Sequence, residues 1–236
     1  MRIIIISIIL IFSMTTFGQE MNWEQWEKES ESNIRLLPKY GLIEKTKAQK
    51  ESDEEFIKTI IAQDTTHRKG SDHLIKLGFQ YLYHDIKTAM YRFNQAYLLD
   101  TTNTDIYSGY GAVYMNLGQY QKAKEQYEQG LKLAPKNANL LSDYGTYYLA
   151  EYYLLAPIEE NIAFQKLDSA ILYMTQSYNL NPKDQNTIYK LSIMYWNKSD
   201  CDNAWKFYKE CMALGGASVP ESYAIGLAKD CNQKNK

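Results

Sequence analysis

The chain has 236 residues, 45% of them hydrophobic and 23% charged, with a formal net charge of −2. Proline is scarce (5) and glycine modest (12), which argues against a loop-rich β protein and against a disordered chain. No basic stripe is present, so nucleic acid, whose binding needs phosphate-neutralising side chains, is excluded as a partner class.

In chain order, the first element is a different material from the rest. "MRIIIISIILIFSMTTFGQE" has one basic residue, Arg2, then an apolar run from Ile3 to Met14, then small residues. This is the pattern of a secretory signal at residues 1–18, with Thr16 and Gly18 at the −3 and −1 places of a cut before Gln19. The run is about 12 residues, against the ~20 that span a bilayer, so no membrane span is expected in the mature chain. The expectation is export to the periplasm, cell envelope or medium. Loss of Arg2 makes the mature chain one charge more acidic.

Residues 19–70 read as an N-terminal helical segment. Thr46 to Ile61 has a helical stripe in Phe56, Ile57, Ile60 and Ile61, with Thr46-x-x-Gln49 and Ser52-x-x-Glu55 as capping boxes. Before it, Trp23, Trp26, Ile34, Leu36 and Leu37 mark either a helix on the body or a mobile arm. Gly70 closes the segment, and Ser71-Asp72 is expected to start the next helix.

From there a pattern returns. Tyr107, Tyr110, Gly111 and Tyr114 fall on one helix face, Ala123, Tyr127, Gly130 and Leu131 on another, and Pro135 follows. The first face recurs as Leu74/Leu77/Gly78/Tyr81, Leu141/Tyr144/Gly145/Tyr148 and Ile188/Leu191/Ser192/Tyr195. The second recurs around Ala89, Ala170 and Ala204. Ala89 to Ala123 is 34 residues, Ala123 to Ala170 is 47, and Ala170 to Ala204 is 34. The period is therefore 34, with 13 extra residues around Pro157 in the third copy. Ile225-Gly226 marks half of a fifth unit.

A 34-residue helix–turn–helix period with W-x2-L-G-x2-Y, A-x3-F and a closing proline resembles the tetratricopeptide repeat (TPR) family. The leading Trp is replaced by Leu74, Tyr107, Leu141 and Ile188. The resemblance implies an all-α, right-handed solenoid of helical hairpins. Four repeats would cover residues 71–219 (about 71–102, 103–137, 138–184 and 185–218), and a capping helix and tail residues 220–236. A single hairpin cannot bury its own apolar face, so neighbours must stack and the last needs a polar cap.

No catalytic set appears. His67, His73 and His84 make no metal pattern, and there is no nucleophile elbow, phosphate loop or dinucleotide fingerprint. The reading calls for no enzyme, cofactor or metal. Cys201 and Cys211, ten residues apart on one helix, are ~15 Å apart by rise and cannot bond each other. Cys231 ends the capping helix, which runs back along Cys201, so a Cys201–Cys231 disulfide is a pairing open to the chain; Cys211 reads as a core thiol.

In the resembled family the first helices line a concave groove that grips an extended peptide or a helix. Carried onto this sequence, the groove residues are Phe79, Tyr83, Ala112, Met115, Asn116, Asn139, Thr146, Asn186, Tyr189, Ile193, Trp196 and Asn197. Asp72, Asp105, Asn139 and Asn186 are expected to head the four first helices. The Lys/Arg set of a carboxylate clamp is missing. Phe79 and Leu82 are as open to burial under the N-terminal helices as to binding, whereas Tyr189, Ile193 and Trp196 are expected to bind. Tyr152, Tyr153, Leu155, Ile158 and Phe164 give the lengthened hairpin an apolar secondary surface. The expected function is an exported, non-catalytic adaptor for a protein or peptide. The alternatives are a structural subunit of an envelope assembly, or carbohydrate or small-ligand binding through the Tyr-rich face.

Overall fold

The computed structural model describes residues 21–216 and 219–232; the signal-sequence expectation lies outside them. Eleven α-helices and two short 3-10 turns make up the regular structure of the described residues, with no strand among them. Four antiparallel hairpins follow one another: α3 (His67–Tyr81) with α4 (Ile86–Leu99), α5 (Asp105–Asn116) with α6 (Tyr120–Leu133), α7 (Ala138–Leu155) with α8 (Glu160–Leu180), and α9 (Gln185–Asn197) with α10 (Cys201–Ala213). Helix α11 (Glu221–Asn232) closes the end. Each first helix also touches the first helix of the next hairpin.

Small residues set how closely the hairpins close. A Cβ on Gly78 would lie 2.4 Å from the Phe93 ring, and one on Gly111 would lie 2.3 Å from the Tyr127 ring. The Phe93 and Tyr127 rings of the second helices therefore pack directly on bare backbone of the first. Ala89, Ala123, Ala170 and Ala204 are all fully buried on the opposing helices. In the last hairpin Ser192 does more than stay small: its hydroxyl donates to the Ala204 carbonyl (2.7 Å). Full burial of a side chain the size of Phe93 contributes ~1.5–3 kcal/mol. Stacking makes this burial continuous, from Leu74 through Tyr110 to Tyr147 in one cluster and from Leu149 to Cys211 in the next.

Helix α2 (Lys47–Asp64) starts at Thr46, which forms a capping box with Gln49; Ser52 lies inside the helix and caps nothing. Helix α3 begins four residues ahead of the start expected at Ser71. The Thr66 hydroxyl accepts the Lys69 amide (3.1 Å) and caps it there, after Thr65 has turned the chain in the left-handed region (φ 66°). Gly70 is thus no breaker. It is the point where α3 meets its neighbours, and a Cβ there would lie 2.6 Å from Ile60 and 3.0 Å from Leu99.

The segment before α2 packs on the body. Helix α1 (Trp23–Ser30) buries Trp26, and the turns Ile34–Leu36 and Pro38–Leu42 bury Leu36 and Tyr40. They lie along α4 and reach α6, the second-helix side of the solenoid. Fully buried Asn94 is the anchor. Its amide donates to the carbonyls of Arg35 (2.8 Å) and Leu37 (2.9 Å), and its oxygen accepts from the Tyr110 hydroxyl (2.8 Å) and the Tyr40 amide (3.4 Å). These bonds hold a left-handed turn in which Lys39, Tyr40 and Leu42 all have φ between 55° and 57°. Such a conformation costs roughly 1–2 kcal/mol for each residue with a Cβ.

The third hairpin takes up its extra residues in both helices. Helices α7 and α8 have 18 and 21 residues against 12 and 14 in α5 and α6. Six or seven added residues extend each by ~9–10 Å at 1.5 Å per residue.

Candidate functional site

The first helices of the four hairpins line a trough of ≈ 670 Å³. Its wall at one end is Phe79, held edge-on to Phe93 (5.2 Å between centroids) and 36% exposed. Its middle is lined by the small side chains of Ser108 and Ser142. Asn139 and Asn186 line it, together with Asp72, Asp105, Asp143 and Asp184.

These carboxylates are placed by neutral donors. Asn103 donates to Asp72 (2.7 Å), and Asn137 and Asn139 donate to Asp105 (2.6 and 3.1 Å). Asp184 caps α9, accepting from the Asn186 and Thr187 amides and the Thr187 hydroxyl. Each inter-hairpin loop thus orients a carboxylate without neutralising it. No ion pair to any of the four forms among the described residues. Asp143 keeps some exposed surface, yet its carboxyl is enclosed by protein, and burial pushes it above the usual carboxylate range. Asp105 and Asp184 push the same way, and Lys190 and the Ser108 dipole oppose them. Burial also lowers Lys190, whose ammonium donates to the Thr146 hydroxyl (2.9 Å).

The structure divides the twelve expected groove residues among several places. Phe79, Asn139 and Asn186 line the trough. Ala112 and Thr146 lie one turn further along α5 and α7, both half-buried. Tyr83 is 83% exposed and borders, with Asn116, a smaller cleft of ≈ 220 Å³ that Met21 also lines. Leu82 is buried there, and Met115 is half-buried against the main core. Leu82 is thus buried beside a cleft it shares with Met21 of the N-terminal segment, while Phe79 stays in the trough.

The C-terminal group is bound up with the cap. Tyr189 packs edge-on to Tyr223 (5.1 Å), as does Trp196 (5.2 Å). The Trp196 indole N–H donates to Asp230 (3.2 Å), and Gly226 leaves room for its ring. Ile193, Trp196 and Asn197 line a separate cleft of ≈ 590 Å³, and Asn197 donates to Tyr153 (2.8 Å). Replacing Trp196 would therefore loosen α11 as well as change this cleft. The same helix is stapled by a Cys201–Cys231 disulfide with Cα atoms 5.4 Å apart, while Cys211 is a buried free thiol. On the long hairpin Tyr152 packs on Phe164 (6.1 Å) and Leu155 is half-buried, leaving Tyr153, Leu154 and Ile158 exposed.

One expectation needs correction, and two residues add to the site. Asp105 does open α5, but Asp72 lies inside α3, because that helix starts earlier. Asp143 and Asp184 were not among the expected site residues. Asp143 stands four residues after Asn139, on the same helix face, and Asp184 is the cap just before α9; either spacing identifies them. Among the described residues no three His, Cys, Asp or Glu side chains gather to hold a metal ion. No described helix is long and apolar enough to cross a membrane.

Residues 104–137 match the sequence profile of the tetratricopeptide repeat. No curated protein sequence matches the chain. Among solved structures it is similar to a thermophilic TPR protein of Thermus thermophilus at 17% identity, covering 68% of this chain and 86% of that one with a TM-score of 0.57. It is also similar to a chain of the APC/C hetero-tetramer Cut9–Hcn1 at 17% identity, covering 87% of this chain and 38% of that one with a TM-score of 0.51. Residues 104–137 thus carry one tetratricopeptide repeat in sequence, and the stacked hairpins around them share the helical-solenoid fold of tetratricopeptide repeat structures.

Proposed function

We propose that the protein is an exported, non-catalytic scaffold that holds a segment of another protein in the trough along α3, α5, α7 and α9. The observation that carries this reading is the trough itself. It is built from every hairpin, and its polar side chains are pre-oriented by neighbouring loops. Preorganised groups lose little entropy on binding, which is where a shallow surface loses most. The apolar wall at Phe79 and the small residues in the middle suit an extended segment better than a bulky helix.

A crosslinked pull-down compares the wild type with Asn139→Trp. Asn139 is exposed at the first turn of α7, so an indole there fills the trough without entering the core. Loss of the partner in the variant supports the reading, and retention places binding elsewhere. Export is tested by sequencing the N-terminus of protein from the envelope fraction. A start at Gln19 is expected, and a start at Met1 refutes it.

A second reading rests on the exposed Tyr153, Leu154 and Ile158 at the end of the long hairpin. That apolar tip suits a subunit of an envelope assembly, and in that case self-association would persist in Asn139→Trp.

A further inference from the structure

We infer that the segment held in the trough is cationic, an extended stretch carrying lysine or arginine that runs across Asp72, Asp105, Asp143 and Asp184. The inference rests on the trough being the binding site and adds the chemistry of what enters it.

Two independent observations converge. The first is charge. Each hairpin supplies one carboxylate to the same trough, and no ion pair to any of them forms among the described residues. The basic side chains nearby are Lys76, which lines the wall, and Lys190, whose ammonium is turned to Thr146. Carboxylates lining one trough sum to a negative potential there, Asp105 and Asp184 acting on Asp143, and an arriving cation is drawn to it. The amides of Asn103, Asn137 and Asn139 fix the direction of Asp72 and Asp105 but remove no charge.

The second observation is an unsatisfied hydroxyl. Ser108 is 2% exposed and lines the trough, yet its Oγ has no hydrogen-bond partner. It lies beside Asp143 and favours the charged carboxyl there, but no atom meets it in bonding geometry. A buried polar atom without a partner destabilises the free protein, and a bound group that bonds to it recovers that loss. A backbone amide or side-chain group of an extended segment lying over the carboxylates is placed to do so.

The test uses fluorescence anisotropy on the full mature chain with three labelled peptides of equal length, rich in Lys/Ala, Glu/Ala and Ser/Ala. The variants are Asp105→Asn with Asp143→Asn, Ser108→Ala, Asn139→Trp, and Glu51→Gln as an exposed charge control on α2. The Lys/Ala peptide is expected to bind best. The double neutralisation should weaken it by about tenfold or more, as for other close charge complements, with weaker binding also as salt rises. Ser108→Ala should weaken it while raising the melting temperature of the free protein. Asn139→Trp should abolish it, and Glu51→Gln should leave it unchanged. If the Ser/Ala or Glu/Ala peptide binds best and loses affinity only in Asn139→Trp, the cationic assignment is overturned and the trough remains the site. If the Lys/Ala peptide binds equally to every variant, both are overturned. If no peptide binds, the cationic assignment falls.

Discussion

Replacement of Asn94 by alanine is the most telling perturbation of the fold, because one buried side chain joins the N-terminal segment to the first two repeats. Three firm hydrogen bonds disappear: to the carbonyls of Arg35 and Leu37 and from the Tyr110 hydroxyl. The weaker bond from the Tyr40 amide goes as well. At ~1 kcal/mol net for each firm bond, the loss is ~3 kcal/mol. The left-handed turn at Lys39, Tyr40 and Leu42 adds to it, since that backbone persists only while its surroundings hold it. Solenoids open locally as well as globally, so the loss belongs first to the segment. About 3 kcal/mol is a factor of ~10² in its opening equilibrium. Hydrogen exchange followed by mass spectrometry reads this directly. Amides of residues 34–42 should exchange ~10²-fold faster in Asn94→Ala, with α9 and α10 nearly unchanged. Unaltered exchange over 34–42 would refute the role assigned to Asn94. Equal acceleration in every helix would refute the local character of the loss.

Other consequences are equally concrete. Gly111→Ala should destabilise by ~1–3 kcal/mol in urea melts, as overpacked cores do, because its methyl meets the buried Tyr127 ring; an unchanged midpoint would contradict the close helix approach. Asp143 has its pKa raised by burial even with Lys190 opposing, so the folded state binds its proton more readily than the unfolded state. Its contribution to stability is therefore best in acid and declines as pH rises from the unfolded value of ~3.9 through the raised folded value. Asp143→Asn should accordingly raise the melting temperature at neutral pH and give no gain at about pH 3, below both values; a lower neutral-pH melting temperature would contradict the sign. Reduction, or Cys201→Ser with Cys231→Ser, should release α11, since closing a loop of 30 residues is worth ~3–4 kcal/mol on the chain-entropy account. Trp196 fluorescence should then shift to the red while most of the helical signal remains, and an unmoved spectrum would show that α11 holds without the staple.

The architecture was legible because the packing that makes it repeats. A small residue on the first helix (Gly78, Gly111, Gly145, Ser192) and an alanine opposite recur on the same period, so one hairpin explains the next. The long hairpin was legible for a related reason: Pro157 marks a turn inside the insert, so the extra residues divide between the two helices on either side of it. Asn94 was not legible, since its meaning depends on carbonyls more than fifty residues away and no local pattern reports a side chain whose partners are backbone atoms. The left-handed turn at 39–42 was hidden because only Gly41 in that run advertises positive φ. At the site, the repeat pattern found the groove face but treated its residues as equivalent. Position along the stack separates them. Tyr189 and Trp196 sit under α11, because an end repeat must be covered, while Asp143 lines the trough in the middle with its carboxyl enclosed. Asp143 and Asp184 were passed over because a single acidic residue in a helix or loop usually reads as a solvated face, and only the stacking of the hairpins brings them to one trough with Asp72 and Asp105.

The central claim is that the trough along the first helices holds the partner. Its most direct test places a photo-crosslinking residue at Phe79 or Asn186 in the trough, and at Leu133 or Leu172 on exposed faces of the second helices, in the living cell. The account predicts that one partner crosslinks from Phe79 and Asn186, fails to crosslink from Leu133 and Leu172, and is lost from the trough positions when Asn139→Trp is added. A partner captured from Leu133 or Leu172 and indifferent to Asn139→Trp would contradict it.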